Sequence, residues 1–227
     1  MNSIGKFCKD NNIFLIEDAA QAIGAKNIDN NKAGSFGIAG GFSLHPLKNL
    51  SVYGDGGVVT TNSFELAEKI KKIRNHGLEN RDKCLHWGLN TRLDELQAAY
   101  ALIKMKYIET WTNKYIFIAN TYSKKIIHKI IKPQTNSSCR DVFHNYIIVL
   151  NPKIRDKFMV RLLEVGVETK IHYPIPLHLQ PCASELGYKK GDFPNTERLA
   201  KSMVSLPIYP LLKKEEINYV ISSVNSI

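Results

Sequence analysis

The first part of the chain alternates short apolar runs with amphipathic stretches. Residues 2–11 place Ile4, Phe7 and Cys8 on one helical face. Ile13 to Ile16 is a continuous apolar run, as a buried parallel strand requires, and it ends in Glu17-Asp18-Ala19-Ala20-Gln21. A glycine-rich connection, Gly34 to Gly41, leads into the short strand pattern Gly40 to Leu44. After Pro46, Lys48 and Gly54-Asp55-Gly56-Gly57 come the β-branched residues from Val58 to Thr61. Ser63 is set as the N-cap of a helix whose inner stripe is Leu66, Ile70 and Ile73. Basic residues fill its last turns and Gly77 terminates it. Strands alternating with helices predict an α/β unit built on a doubly wound, mainly parallel sheet with helices on both faces.

From Leu89 to Lys132 there is neither Gly nor Pro. Leu93, Leu96, Tyr100, Ile103 and Tyr107 recur at helical spacing, and Trp111, Tyr115, Ile118 and Tyr122 continue it. The pattern predicts one very long helix, or two broken near Thr110–Asn113, connecting two units. Pro133 and the polar residues 134–141 mark a boundary. Beyond it the pattern gives a strand (Val142–Leu150), a helix opened by Pro152 with Ile154, Phe158 and Leu162 inward, and a strand (Val167–Tyr173). A Pro-rich stretch and two closing helices follow. The expected organisation is therefore a large α/β domain over 1–110, a long connecting helix over 111–133 and a smaller α+β domain over 134–227.

Composition sharpens this only in part. With 227 residues and 44% hydrophobic, the chain is globular rather than disordered, collagenous or coiled. No apolar run approaches the roughly 20 residues that span a bilayer, and the opening lacks the continuous core of a signal peptide. Cys8, Cys84, Cys139 and Cys182 contain no C-x-x-C pair, which argues against a zinc site or a disulfide framework and for reduced, buried thiols in a cytoplasmic protein. The net charge of +10 is concentrated in Lys69–Arg74 and Lys124–Lys129. Both runs interleave charge with apolar residues at helical spacing, as solvated helix faces do, and carry no nucleic-acid motif. No nucleic acid, membrane or metal partner is expected.

Three stretches could carry chemistry. In Phe42-Ser43-Leu44-His45-Pro46-Leu47-Lys48-Asn49-Leu50, Lys48 is either a surface lysine after a turn or a partly desolvated amine suited to a Schiff base. In Ile16–Ala22, Asp18 either caps the following segment or faces a cationic ring nitrogen. In Gly88–Ala99, Asn90 or Thr91 is either the N-cap of a helix or, with Arg92, part of a phosphate site at that helix's N-terminus.

In this order, the three stretches resemble the DegT/DnrJ/EryC1/StrS family of sugar aminotransferases. Further matches are Gly54-Asp55-Gly56-Gly57 with Val58–Asn62, Arg74-Asn75-His76-Gly77, Val142-Phe143-His144, His172-Tyr173-Pro174, Phe193-Pro194-Asn195-Thr196-Glu197 and Ser205-Leu206-Pro207. The resemblance implies an aspartate-aminotransferase-like (type I) fold and dependence on pyridoxal 5'-phosphate. It makes Lys48 the catalytic Schiff-base lysine and pairs Asp18 with the pyridine nitrogen. It sets Gln21 beside the ring and Ser43 on the phosphate, and has Asn90 reach the phosphate of a neighbouring subunit in a homodimer with shared active sites. His172 and Tyr173 are then either substrate contacts or structural.

The implied activity is transfer of an amino group, from glutamate, to a keto group of a nucleotide-diphosphate sugar that feeds surface polysaccharide such as O-antigen, or amino-sugar biosynthesis. Two other readings stand beside it. One is a dehydratase of the same family, against which the retained Lys48 speaks. The other is an inactive remnant or a non-catalytic subunit. Family members are considerably longer, so the chain reads as a C-terminal fragment of the large domain plus the small one. The absent part would carry a Gly-Thr/Ser pair for the phosphate and an aromatic residue stacked on the ring, and the chain alone is expected to bind the cofactor weakly and to have little activity.

Overall fold

The structure is a computed structural model and describes residues 1–127, 130, 132 and 138–227. It divides into two compact units, Met1–Asn113 with Thr135–His144, and Lys114–Gln134 with Asn145–Ile227.

In the first unit, helix α1 (Asn2–Asp10) precedes a three-stranded sheet in the order β1 (Ile16–Asp18), β2 (Ala39–Ser43), β3 (Gly57–Thr60). β1 and β2 are parallel, with Asp18 opposite Gly41. β3 departs from the parallel expectation and pairs antiparallel with β2, Ser43 opposite Gly57. No helix lies between β2 and β3, so the chain turns back on itself rather than crossing over. The apolar run before β1 departs too. Ile13, Phe14 and Ile16 are exposed and Glu17 is buried: Ile16 shares the open face of β1 with Asp18, whereas Glu17 turns to the opposite face toward the backbone of Gly34, Phe36 and Gly37.

The glycines of the 34–41 connection allow close approach. Gly34 has φ +84°, and a Cβ on Gly40 would sit 2.6 Å from the Gly34 Cα. Helix α2 (Phe64–Ile73) is capped as its sequence predicts, Ser63 Oγ accepting from the Leu66 N–H.

Helix α3 spans Glu95–Met105 and α4 Ile108–Lys125. The break falls at Lys106–Tyr107, not at Thr110–Asn113. Lys106 N–H turns to the Ile103 carbonyl and Tyr107 N–H to Lys104. Thr112, within the stretch where a break was one alternative, returns its hydroxyl to the Ile108 carbonyl at 2.8 Å and stays inside the helix. The core of this unit gathers Leu44, Leu50, Val52 and Ala101 against Ile23, Leu93, Tyr100 and Ile108.

The second unit pairs β4 (Tyr146–Val149) antiparallel with β5 (Met203–Leu206). Around them lie α5 (Pro152–Glu164), α6 (Pro194–Ser202) and α7 (Lys214–Asn225), with two 3-10 turns at Leu177–Leu179 and Pro181–Leu186. α5 buries Phe158 and Leu162, whereas Ile154, expected inward, lies exposed in the first turn. The strand expected over Val167–Tyr173 is reduced to a single bridge between Lys170 and Ser205. The boundary read at Pro133 lies outside the described residues.

Tyr122 is fully buried edge-on to Tyr146, and its hydroxyl donates to the Pro207 carbonyl at 2.9 Å. Burial pushes its phenol well above the ordinary value. Tyr122→Phe orphans that carbonyl, so it is expected to cost about 1–2 kcal/mol. A urea melt followed by circular dichroism reads the change.

Candidate functional site

Register decides what the small sheet can present. Successive side chains in a strand alternate faces, so residues 18, 41, 43, 57 and 59 share one side of the sheet. That face opens into a cleft of about 540 Å3 lined by Asp18, Gly41, Ser43, Gly57 and Val59 among others. A Cβ on Gly41 would meet only the Glu17 carbonyl, at 4.0 Å, so the floor beside Asp18 is bare backbone open to a flat ligand. Asp18 is exposed, and its Oδ1 accepts from the Ala20 N–H at 3.1 Å. The capping and ligand-facing readings of Asp18 are thus compatible, since one carboxylate oxygen can hold the turn while the other remains an acceptor. Ser43 Oγ accepts from the His45 N–H at 3.2 Å, which leaves its O–H as a donor.

Glu17, on the opposite side of β1, is buried. Its carboxylate accepts from the backbone N–H groups of Gly34 (2.8 Å), Phe36 and Gly37 (3.2 Å). It ties the glycine-rich connection to β1 and so fixes the β1–β2 register that brings Asp18 level with Gly41. Sequence reasoning passed over it. The one trace in the sequence is an acid adjacent to Asp18 ahead of a glycine-rich segment, which does not by itself say that Glu17 turns inward.

Lys48 is partly exposed on the turn that follows β2. Its N–H bonds the His45 carbonyl at 2.8 Å, and among the described residues its ammonium has no hydrogen-bond or ion-pair partner. It does not line the cleft itself. The residues after it are gripped. Asn49 is buried, its Nδ2 donating to the Val142 carbonyl at 3.0 Å and its Oδ1 lying 3.1 Å from His144 Nδ1. Leu50 and Val52 sit in the core, and Val52 N–H bonds the Leu44 carbonyl. The Val142-Phe143-His144 motif therefore supports the Lys48 turn, a link that no spacing in the sequence reveals.

Gln21 is exposed beyond β1 and outside the cleft lining. Asn90 is exposed as well, but not at a helix N-terminus. Its backbone bridges Asn75, Thr91 N–H bonds the Arg74 carbonyl, and Arg92 donates to Asn75 Oδ1 at 2.9 Å. These contacts keep the segment extended until Asp94, the N-cap of α3.

In the second unit, His172 Nδ1 lies 2.8 Å from Ser205 Oγ and Tyr173 is exposed beside it. Nearby, Glu197 accepts from the Gly191 N–H at 2.6 Å and lies 3.2 Å from His178 Nε2. The Gly191 N–H, and secondarily His178, hold the Glu197 carboxyl below the ordinary carboxylate value. A lowered folded pKa contributes stability that is present above the unfolded value and is lost as pH falls through the folded one. Glu197→Gln is expected to flatten the acid limb of the unit's stability profile, read as urea midpoints across the acid range.

Among the described residues, no group of His, Cys, Asp and Glu is placed to hold a metal ion, and no helix is long and apolar enough to cross a membrane.

Together the sheet, the Lys48 turn and the α+β second unit define the class: an α/β fold shared with pyridoxal-phosphate-dependent aminotransferases. DesV of S. venezuelae, solved in complex with a ketimine intermediate, superposes with a TM-score of 0.94 at 32% identity, covering 100% of this chain and 61% of that one. The chain belongs to the DegT/DnrJ/EryC1/StrS aminotransferase family, whose model matches residues 1–225. Enzymes of this family depend on pyridoxal phosphate. A "pleiotropic regulatory protein" of Geobacillus stearothermophilus is 41% identical over 99% of this chain and 60% of its own length. The dTDP-3-amino-3,6-dideoxy-alpha-D-galactopyranose transaminase of Aneurinibacillus thermoaerophilus is 41% identical over 99% of this chain and 61% of its own. The chain thus spans about 60% of the length of these relatives.

Proposed function

We propose that this chain carries the lysine and the ring-binding carboxylate of a pyridoxal-phosphate-dependent aminotransferase acting on a nucleotide-diphosphate keto sugar. The observation that supports it most is the shared face of Asp18, Gly41 and Ser43, followed by a free lysine amine five residues beyond Ser43. The donor set suits the cofactor: a carboxylate for a ring nitrogen, bare backbone for a flat ring, a hydroxyl for a phosphate and an amine for an aldehyde. When bound, pyridoxal phosphate supplies that aldehyde and a ring that accepts electrons from the substrate α-carbon.

Asp18 holds a proton at the ring nitrogen. Ser43 donates its O–H to the phosphate, and Gln21 lies beside the ring. Lys48 gives its Nζ for covalent attachment and then carries the proton to and from the reacting carbon. Asn90 reaches a second copy in a homodimer. Trp87, Leu89 and Leu96 around it are strongly exposed, which fits an apolar surface waiting for a partner. His172 and Tyr173 contact the sugar. The four cysteines are free thiols, which suits a reducing, cytoplasmic setting, but none is buried as expected: Cys84 and Cys182 are exposed, Cys8 and Cys139 partly so. Glutamate serves as the donor, and the amino-sugar product feeds surface polysaccharide.

The test supplies pyridoxal phosphate, 15N-glutamate and a dTDP-3-keto-6-deoxyhexose, followed by mass spectrometry of the sugar nucleotide. Slow incorporation of 15N into the sugar, above the level of Lys48→Ala, is the expected result, since the chain alone binds the cofactor weakly. Loss of a sugar hydroxyl with release of ammonia would instead identify a dehydratase, and no incorporation above Lys48→Ala at saturating cofactor would contradict catalysis by this chain.

A further inference from the structure

Lys104 on α3 is a second lysine near the Lys48 turn. Its Nζ donates to Ser51 Oγ at 2.6 Å and stands over two aromatic faces, 5.2 Å from the Tyr100 ring centre and 5.6 Å from that of Trp111. Among the described residues it has no carboxylate partner. Burial lowers its basicity, so the charge is held at a cost, offset by the two rings and one hydroxyl. Ser51 is buried three residues after Lys48. Its neighbour Tyr53 stacks on Tyr100 at 4.3 Å and gives its N–H to Gln97 Oε1 at 2.9 Å. α3 therefore meets the turn at two points, Ser51 and Tyr53. The former contact is made by the cation.

We infer that Lys104 is a positioning residue, a cationic clamp on Ser51 that fixes the turn presenting the Lys48 amine. This deepens the aminotransferase reading and rests on it. A neutral core side chain would suffice to pack α3 against the turn. An ammonium adds directed donors, and the aromatic faces of Tyr100 and Trp111 hold it in place. The clamp acts two residues beyond Asn49, which Val142 and His144 secure.

The test compares wild type with Lys104→Met, which keeps the stem but removes charge and donors, and with Lys104→Arg, which restores both. Two signals are read: amide hydrogen exchange along the chain, and borohydride trapping of pyridoxal phosphate on Lys48. In Lys104→Met, exchange at Val52, whose N–H bonds the Leu44 carbonyl, should rise about tenfold while β1–β2 amides keep their rates, as a local opening does. Trapping on Lys48 should fall about fivefold at fixed cofactor, and Lys104→Arg should recover both signals. Should Lys104→Met fail to fold, Ser51→Ala reads the same contact from the other side. Unchanged exchange in the turn, or a uniform rise across the whole unit, would overturn the clamp. If wild type traps no cofactor on Lys48, the aminotransferase reading fails, while the exchange pattern still decides whether Lys104 orders the turn.

Discussion

Glu17→Ala is expected to destabilise the first unit by about 3 kcal/mol or more, since it leaves three backbone donors without an acceptor in a buried site. Glu17→Gln should recover little of this. An amide offers one acceptor oxygen and turns an N–H2 toward groups that are themselves donors. The loss should not stop at stability. The connection that Glu17 holds leads directly into β2, so freeing it loosens the register that sets Asp18 against Gly41. Denaturant titration and cofactor binding should therefore both suffer in Glu17→Gln. In Asp18→Asn, which leaves the anchor in place, only cofactor binding should suffer. Unaltered stability in Glu17→Ala would show that the connection is held by other means.

Lys48→Ala is expected to lower amino transfer at least about a thousandfold, because both the attachment of the cofactor and the proton shuttle reside in one amine. Lys48→Arg should not rescue it, since a guanidinium stays protonated and cannot serve as nucleophile or base. Neither change should disturb folding much. The Lys48 side chain is partly exposed, and the turn is gripped by Asn49, Leu50 and Val52 instead. A single-turnover assay with glutamate, read as 2-oxoglutarate formed, separates the variants from wild type.

The local parts of the candidate site were legible in the chain because they are short-range. Asp18 at the end of an apolar run, Ser43 and Lys48 in one segment, and the Ser63 cap all announce themselves within a few residues. What escaped was long-range or a matter of phase. A three-residue strand is too short for alternation to say which of Glu17 and Asp18 turns inward. The grip of Val142 and His144 on Asn49 spans more than ninety residues, and Lys104 lies more than fifty from Ser51. The antiparallel return of β3 was hidden because a β-branched run reads alike in either direction. The break between α3 and α4 was misplaced because Thr112, a poor helix residue by propensity, satisfies its hydroxyl within the helix. The helix N-terminus expected at Asn90 or Thr91 lies further on, at Asp94, because the pairing of Asn90 with Asn75, which keeps it extended, leaves no mark in local sequence.

The most direct test of the account is reduction with borohydride at saturating pyridoxal phosphate, followed by peptide mapping of the pyridoxyl label. The label is expected to concentrate on Lys48 and to vanish in Lys48→Ala. A label scattered over exposed lysines, or concentrated on Lys104, would contradict it.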